Sequence, residues 1–213
     1  MFRIRIQNKK KCIWYCSAVV SFLLFLLLLG WTNHLANTQD AQQMAGRWSE
    51  KKDVAQISCF FSSKAEVTED TIQSFEYSLK NVLQEASITE TSENPSARLW
   101  VDAYSADGKI TLVNGKNTLD ANAIGIGGDF FMFHPLKLIT GAYFSGNDLM
   151  QDYCIIDQDA AWQLFGSNDV VGMTVYISNV PHIVTGVVQR PDSRMDKAAG
   201  LNSTVVYVSY ETL

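Results

Sequence analysis

Residues 13–31 carry no charged side chain, and residues 18–29 are apolar apart from Ser21. Nineteen helical residues rise about 28 Å, close to the thickness of a bilayer's hydrocarbon core. This run therefore reads as a membrane-spanning helix, with Trp14 and Tyr15 at one end and Trp31 at the other, where amphipathic rings favour the headgroup level. Arg3, Arg5, Lys9, Lys10 and Lys11 precede it. An excess of cations on one flank places that flank in the cytoplasm. A cleaved signal peptide shares the basic head but needs small residues three and one before the cut, and Ala36 and Ala41 have His34 and Gln39 at the first of those places. No cysteine follows the run closely enough to take a lipid. The expectation is a retained anchor with the rest of the chain exported.

The charge balance divides in the same place. Residues 1–30 hold five bases and no acid, which leaves 12 bases against 22 acids for the remainder of the 213-residue chain. An acidic body lacks the basic stripes that displace counterions from a phosphate backbone, so nucleic acid is not expected as a partner. Hydrophobic residues make up 47% of the sequence, enough to bury a core. The four cysteines, Cys12, Cys16, Cys59 and Cys154, have irregular spacing and form no paired C-x-x-C ligands. Cys59 and Cys154 sit in apolar runs, compatible with buried thiols or with a single bridge in an oxidising compartment.

Beyond the anchor, residues 32–53 are polar and free of proline, as a helical stalk would be. Residues 55–61 are short and apolar, predicting a first strand with Ile57, Cys59 and Phe61 on one face. Thr68, followed by Glu69 and Asp70, is placed to cap a helix. Ile72, Phe75, Leu79, Val82, Leu83 and Ala86 then recur at the spacing of one apolar stripe. Residues 98–104 alternate as a strand, Asp107-Gly108 reads as a hairpin turn, residues 110–113 as the return strand, and Asn114-Gly115 as a second turn. The second half predicts a strand over residues 153–156, a helix capped by Asp157 and stopped at Gly166, strands over 174–177 and 182–188 around Ser178-Asn179, a polar loop over 189–201, and a strand from 205 to 208. The chain then ends three residues beyond Ser209-Tyr210, which predicts an incomplete domain.

These elements give an α+β class: an N-terminal transmembrane helix and stalk, then a two-lobed mixed domain with a strand-helix-strand lobe and a β-rich lobe from about residue 108 to 188. The expected segments are residues 1–12 as a basic cytoplasmic piece, 13–31 as the transmembrane helix, 32–53 as the stalk and 54–213 as the extracytoplasmic domain.

No constellation in the sequence predicts catalysis. Gly115-Lys116-Asn117-Thr118 lacks the upstream glycine and the final residue of a phosphate loop. Gly125-Ile126-Gly127-Gly128 is superficially like a dinucleotide loop, but Phe130, Phe131, Met132 and Phe133 follow where a helix should open onto a pyrophosphate. No G-x-S-x-G elbow and no zinc-protease helix occur. His34, His134 and His182 are far apart, and the two beside Pro135 and Pro181 suit turns that satisfy backbone groups. Asp157 and Asp159 resemble a carboxylate pair, yet Asp157 stands at a helix cap. The expectation is no catalytic residue, no cofactor, no metal and no enzyme.

One ordered series goes further. Residues 124–145, from Ile124-Gly125-Ile126 through His134-Pro135 to Phe144-Ser145, lead to Ile155-Ile156-Asp157 and Ala160-Ala161-Trp162-Gln163-Leu164-Phe165-Gly166, and then to residues 171–177 and 183–188. This series resembles the extracytoplasmic core domain of MacB-like and FtsX-like ABC transporter permeases, over residues 121–190. The resemblance implies a noncatalytic permease subunit in the cell membrane, a separate cytoplasmic ABC ATPase as partner, and a homodimer. Such permeases have further transmembrane helices, which implies that this chain is a truncated front portion. The alternative reading is a standalone membrane-tethered binding or regulatory module.

Overall fold

The computed structural model describes residues 2–38, 44–48, 54–88, 98–146, 148–190, 198 and 203–213. The chain divides into two compact units, Met1–Gln56 and Ile57–Leu213.

The first unit is dominated by helix α1, Phe2–Thr38. Within it Lys11–Ala36 is long and apolar enough to cross a membrane. Two hydroxyls inside this stretch turn back on the helix: Ser17 donates to the Trp14 carbonyl at 2.9 Å and Thr32 to the Leu29 carbonyl at 3.0 Å. A hydroxyl so satisfied does not face hydrocarbon unpaired. A short helix, α2, spans Met44–Trp48. The expected stalk is thus helical over residues 32–38 and 44–48, and its other residues lie outside the described ones.

The second unit contains helix α3 (Glu69–Glu85), strands β1 (Ala103–Asn114) and β2 (Asn117–Gly128), the short helix α4 (Phe130–Phe133), strands β3 (Leu138–Gly141) and β4 (Tyr153–Asp157), helix α5 (Gln158–Phe165), and strands β5 (Thr174–Ile177), β6 (Val180–Val188) and β7 (Val205–Ser209). A single 3-10 turn, Tyr210–Thr212, ends it. The strands form one sheet in the order β3-β6-β4-β7-β2-β1-β5, and a further β5–β6 pairing joins six of them in a ring. The α+β architecture behind an apolar helix is as expected, with strands assigned to both lobes sharing this one sheet.

Turn chemistry explains most of the register. The β1–β2 hairpin pairs Ala103 with Gly128 through to Asn114 with Asn117, around Gly115 at φ 59°. Ser178 and Asn179, both at positive φ, make the tight β5–β6 turn. Asp107-Gly108, expected to be a turn, lies in the middle of β1 instead. There the Leu213 side chain covers Gly108 so closely that an added Cβ would come within 2.9 Å of it. Glycine serves close approach at this point rather than reversal. The strand expected over residues 98–104 begins only at Ala103. The first strand expected over residues 55–61 is absent: this segment has no regular structure, and Ile57, Phe60 and Phe61 are 87, 95 and 68% exposed.

Both faces of the central strands are covered, which is why their sequences read as near-continuous apolar runs. On one face Cys154, Ile156, Val206 and Val208 pack with Leu112, Val175, Val184 and the Ala160, Ala161 and Leu164 side of α5. On the other, Ile155 and Val188 meet Ile126, Phe130, Phe131 and Phe144. The Phe131 ring stacks on Tyr143 at 4.5 Å and meets Phe144 edge-on at 5.7 Å.

Candidate functional site

The polar centre of the domain is built at the junction of β4 and α5. Asp157 ends an apolar strand and has extended backbone geometry, so one carboxylate oxygen accepts from the Ala160 amide at 2.7 Å and caps the helix. Its other oxygen accepts from Arg190 Nε at 3.0 Å, Arg190 Nη2 at 2.7 Å and the Val205 amide at 3.1 Å. Arg190 also pairs with Asp159 at 2.8 Å and donates to Thr204 at 3.2 Å. Asp157 is only 2% exposed. These partners replace the hydration that burial removes from the carboxylate. Both oxygens are engaged in structure, so this carboxylate joins helix α5, the β7 entry and Arg190, two residues beyond β6. The sequence marked Asp157 as a cap but placed Arg190 in a polar loop, and nothing local signals a partner 33 residues away.

The three histidines remain separate. His34 lies on α1. His134 follows α4 with its ring 4.6 Å from that of Phe130. His182 is buried in β6, its Nδ1 3.1 Å from the Val180 carbonyl oxygen and its Nε2 3.5 Å from the Thr212 hydroxyl. An open cleft of about 410 Å³ borders it, lined also by Gln151, Asp152, Ser178 and Glu211. Among the described residues, no three His, Cys, Asp or Glu side chains are grouped to hold a metal ion. The glycine motifs have other roles. Gly115-Lys116 is the hairpin turn, and Gly125, Gly127 and Gly128 lie within β2. Gly127 makes room for the Tyr104 ring, which a Cβ would approach within 2.0 Å. All four cysteines are free: Cys154 is buried, with its thiol pushed up to about 12 by burial, whereas Cys59 is exposed and not the buried thiol that its apolar surroundings suggested.

A second polar group, without a signal in the sequence, lies where α3 meets β1. Glu76 is raised to about 7 by burial, then by the charge of Asp102 and a hydrogen bond to it, and then by Glu69. Tyr104 is pushed up by burial and by Glu69, Asp102 and Glu76, and it hydrogen-bonds Glu69. The Tyr104 ring meets Tyr210 edge-on at 5.1 Å, and the Tyr210 hydroxyl donates to the Val67 carbonyl at 2.7 Å. Nearby, Arg98 pairs with Asp129 at 2.6 Å. These contacts fasten a helix to a sheet.

An apolar helix of membrane-crossing length ahead of an α+β domain, whose principal polar group holds elements together, is the organisation of a membrane-anchored domain. Residues 20–213 match the family model described as the MacB-like periplasmic core domain, and the chain belongs to that family. It is 32% identical to the macrolide export ATP-binding/permease protein MacB of Chromobacterium violaceum over 44% of this chain and 14% of that protein. It is 29% identical to the MacB of Pasteurella multocida over 45% of this chain and 14% of the relative. The chain therefore spans about a seventh of the length of these curated relatives. A crystal structure of the periplasmic region of MacB from Actinobacillus actinomycetemcomitans aligns with 26% identity and a TM-score of 0.42, covering 55% of this chain and 52% of that one.

Proposed function

We propose that this chain is the N-terminal part of an ABC transporter permease subunit, in which the domain from about residue 54 onward stands outside the cytoplasm and couples a separate cytoplasmic ATPase to export or to an envelope partner. The carrying observation is the family match over residues 20–213. Residues 1–12 lie in the cytoplasm, 13–31 cross the bilayer and 32–53 form the stalk, an arrangement supported by the five bases that precede the apolar run. The subunit is noncatalytic and works as a homodimer. The noncatalytic reading is supported by Asp157, whose oxygens are engaged with Ala160, Arg190 and Val205. The nucleotide chemistry is assigned to a separate ATPase, whereas the MacB relatives are named as combined ATP-binding/permease proteins.

The test is copurification. The complete gene product, tagged and extracted in mild detergent from its own cells, is expected to bring down a phosphate-loop ATPase in stoichiometric amount. Recovery of an envelope protein without any ATPase would replace this reading with that of a tethered binding or regulatory module.

A further inference from the structure

Strand β1 leaves most of one edge unpaired. Among the described residues it pairs with β2 along its whole length, but on its other side only Leu112 and Val113 are paired, to β5. Bonded and unbonded residue pairs alternate along an antiparallel ladder, so the phase of the hairpin fixes which groups the edge offers. The Asp129 amide bonds the Asp102 carbonyl at 2.9 Å, across the hairpin, whereas the Asn122 amide turns away from its β1 partner Lys109 and bonds the Thr204 carbonyl at 3.0 Å. Even-numbered residues of β1 therefore bond β2, and Ser105, Asp107, Lys109 and Thr111 direct their N–H and C=O groups outward. All four are exposed. A row of this kind is a template for a further strand.

The charges on this row select the strand. Asp107 and Lys109 stand on one face, two residues apart, and neither forms an ion pair among the described residues. Their neighbours across the hairpin, Ile124 and Asn122, are uncharged. An edge protected against association carries charge that repels an incoming copy. Opposite charges two residues apart do the reverse. An antiparallel second copy of β1, with its two-fold axis at Gly108, sets Asp107 against the second copy's Lys109 and Lys109 against its Asp107, and opposite charges directly across a ladder attract. The same register sets Ser105 against Thr111 and, on the other face, Ala106 against Ile110, with glycine alone at the axis. Outward-facing residues meet outward-facing residues, so every such pair can exchange backbone bonds. An axis at Asp107 or at Lys109 instead opposes two like charges. We infer that β1 is the docking edge for a second copy of this chain, paired antiparallel to itself about Gly108 so that the two hairpins form one continuous sheet. This interface rests on the homodimeric reading of the subunit and places a contact of that dimer in the exported domain.

Disulfide cross-linking in the membrane tests the register. Two differently tagged copies of the full chain are co-expressed, each with Cys12, Cys16 and Cys59 replaced by serine, and the membranes are treated with a mild oxidant. Asp107→Cys in one copy and Lys109→Cys in the other are expected to cross-link at least tenfold faster than Asp107→Cys in both or Lys109→Cys in both, because directly opposed residues lie within disulfide reach and diagonal ones beyond it. Amide exchange of the chain in detergent gives a second readout. Asp107→Lys is expected to release the amides of residues 105, 107, 109 and 111, and Asp107→Lys combined with Lys109→Asp to protect them again, while the amides of residues 104, 106, 108 and 110, bonded to β2, stay protected as proof of folding. A chain that is dimeric by mass but cross-links no faster through the mixed pair overturns the inference and leaves the homodimer standing, joined elsewhere. A monomer overturns both. Edge amides protected in a monomer show that the chain covers its own edge, and faster cross-linking of Asp107→Cys with itself shows a different register; either result also overturns the inference.

Discussion

At Asp157 a single carboxylate does the work of three connections. Its oxygens receive the Ala160 amide, two Arg190 nitrogens and the Val205 amide in a site 2% exposed. Deleting one member of a buried pair leaves the other charged and poorly solvated, which costs about 3–5 kcal/mol, and the lost cap adds about 1 kcal/mol. Arg190 keeps Asp159 and Thr204 as partners, which places Asp157→Ala toward the low end. Asp157→Asn retains an oxygen for the Ala160 cap but loses the ion pair, and is expected to cost less. Urea unfolding of the exported domain measures both. A loss under 1 kcal/mol for Asp157→Ala would show that this residue is not structural. The local half of this site was legible from sequence, because a cap and its helix are neighbours in the chain. Its partner was not, because Arg190 arrives from beyond β6 and nothing in residues 189–201 marks one arginine among the polar side chains.

At the scale of elements, legibility followed the same rule. Helix α3, its Thr68 cap, the Asn114-Gly115 turn, α5 with its Gly166 stop at φ 75°, and β5 and β6 were all set by short-range chemistry and appear where it placed them. Asp107-Gly108 misled because the same dipeptide serves a tight turn and a close approach, and only the position of Leu213 tells them apart. The pairing of Glu76 with Asp102 had no sequence signal, and it makes the contact of α3 with β1 sensitive to pH. With Glu76 raised from 4.5 to about 7, the folded domain binds more protons than the unfolded chain between those values. Its contribution is therefore fully present below about pH 4.5 and lost as pH rises through about 7. Asp102, Glu69 and Tyr104 face Glu76, and Arg98 with Asp129 stand nearby, so the extra negative charge above pH 7 meets mostly acids. Amide protection of α3 is expected to fall between pH 5 and 8, and Glu76→Gln to flatten that fall. An unchanged slope in Glu76→Gln would assign the dependence to another group.

For the whole molecule, the arrangement about the membrane determines which partners the domain meets. The body is acidic, with 22 acids against 12 bases after residue 30, while the five bases at the front precede an apolar stretch with no opposing charge. Cations flanking a span resist translocation, whereas acids contribute little to orientation. The exposed hairpin tip at Gly115-Lys116 offers a reporter. In cells whose outer barrier has been opened, Lys116→Cys is expected to react with a membrane-impermeant maleimide, while Cys12, at the other end of the span, reacts only after the inner membrane is dissolved. Replacing Lys9, Lys10 and Lys11 together by glutamate removes three of the five bases and is expected to reduce labelling at position 116 several-fold, through inverted or failed insertion. Equal labelling of both positions in intact inner membranes would mean that the basic segment does not hold the N-terminus inside. The domain would then lie in the cytoplasm in part of the population, against its proposed place outside it.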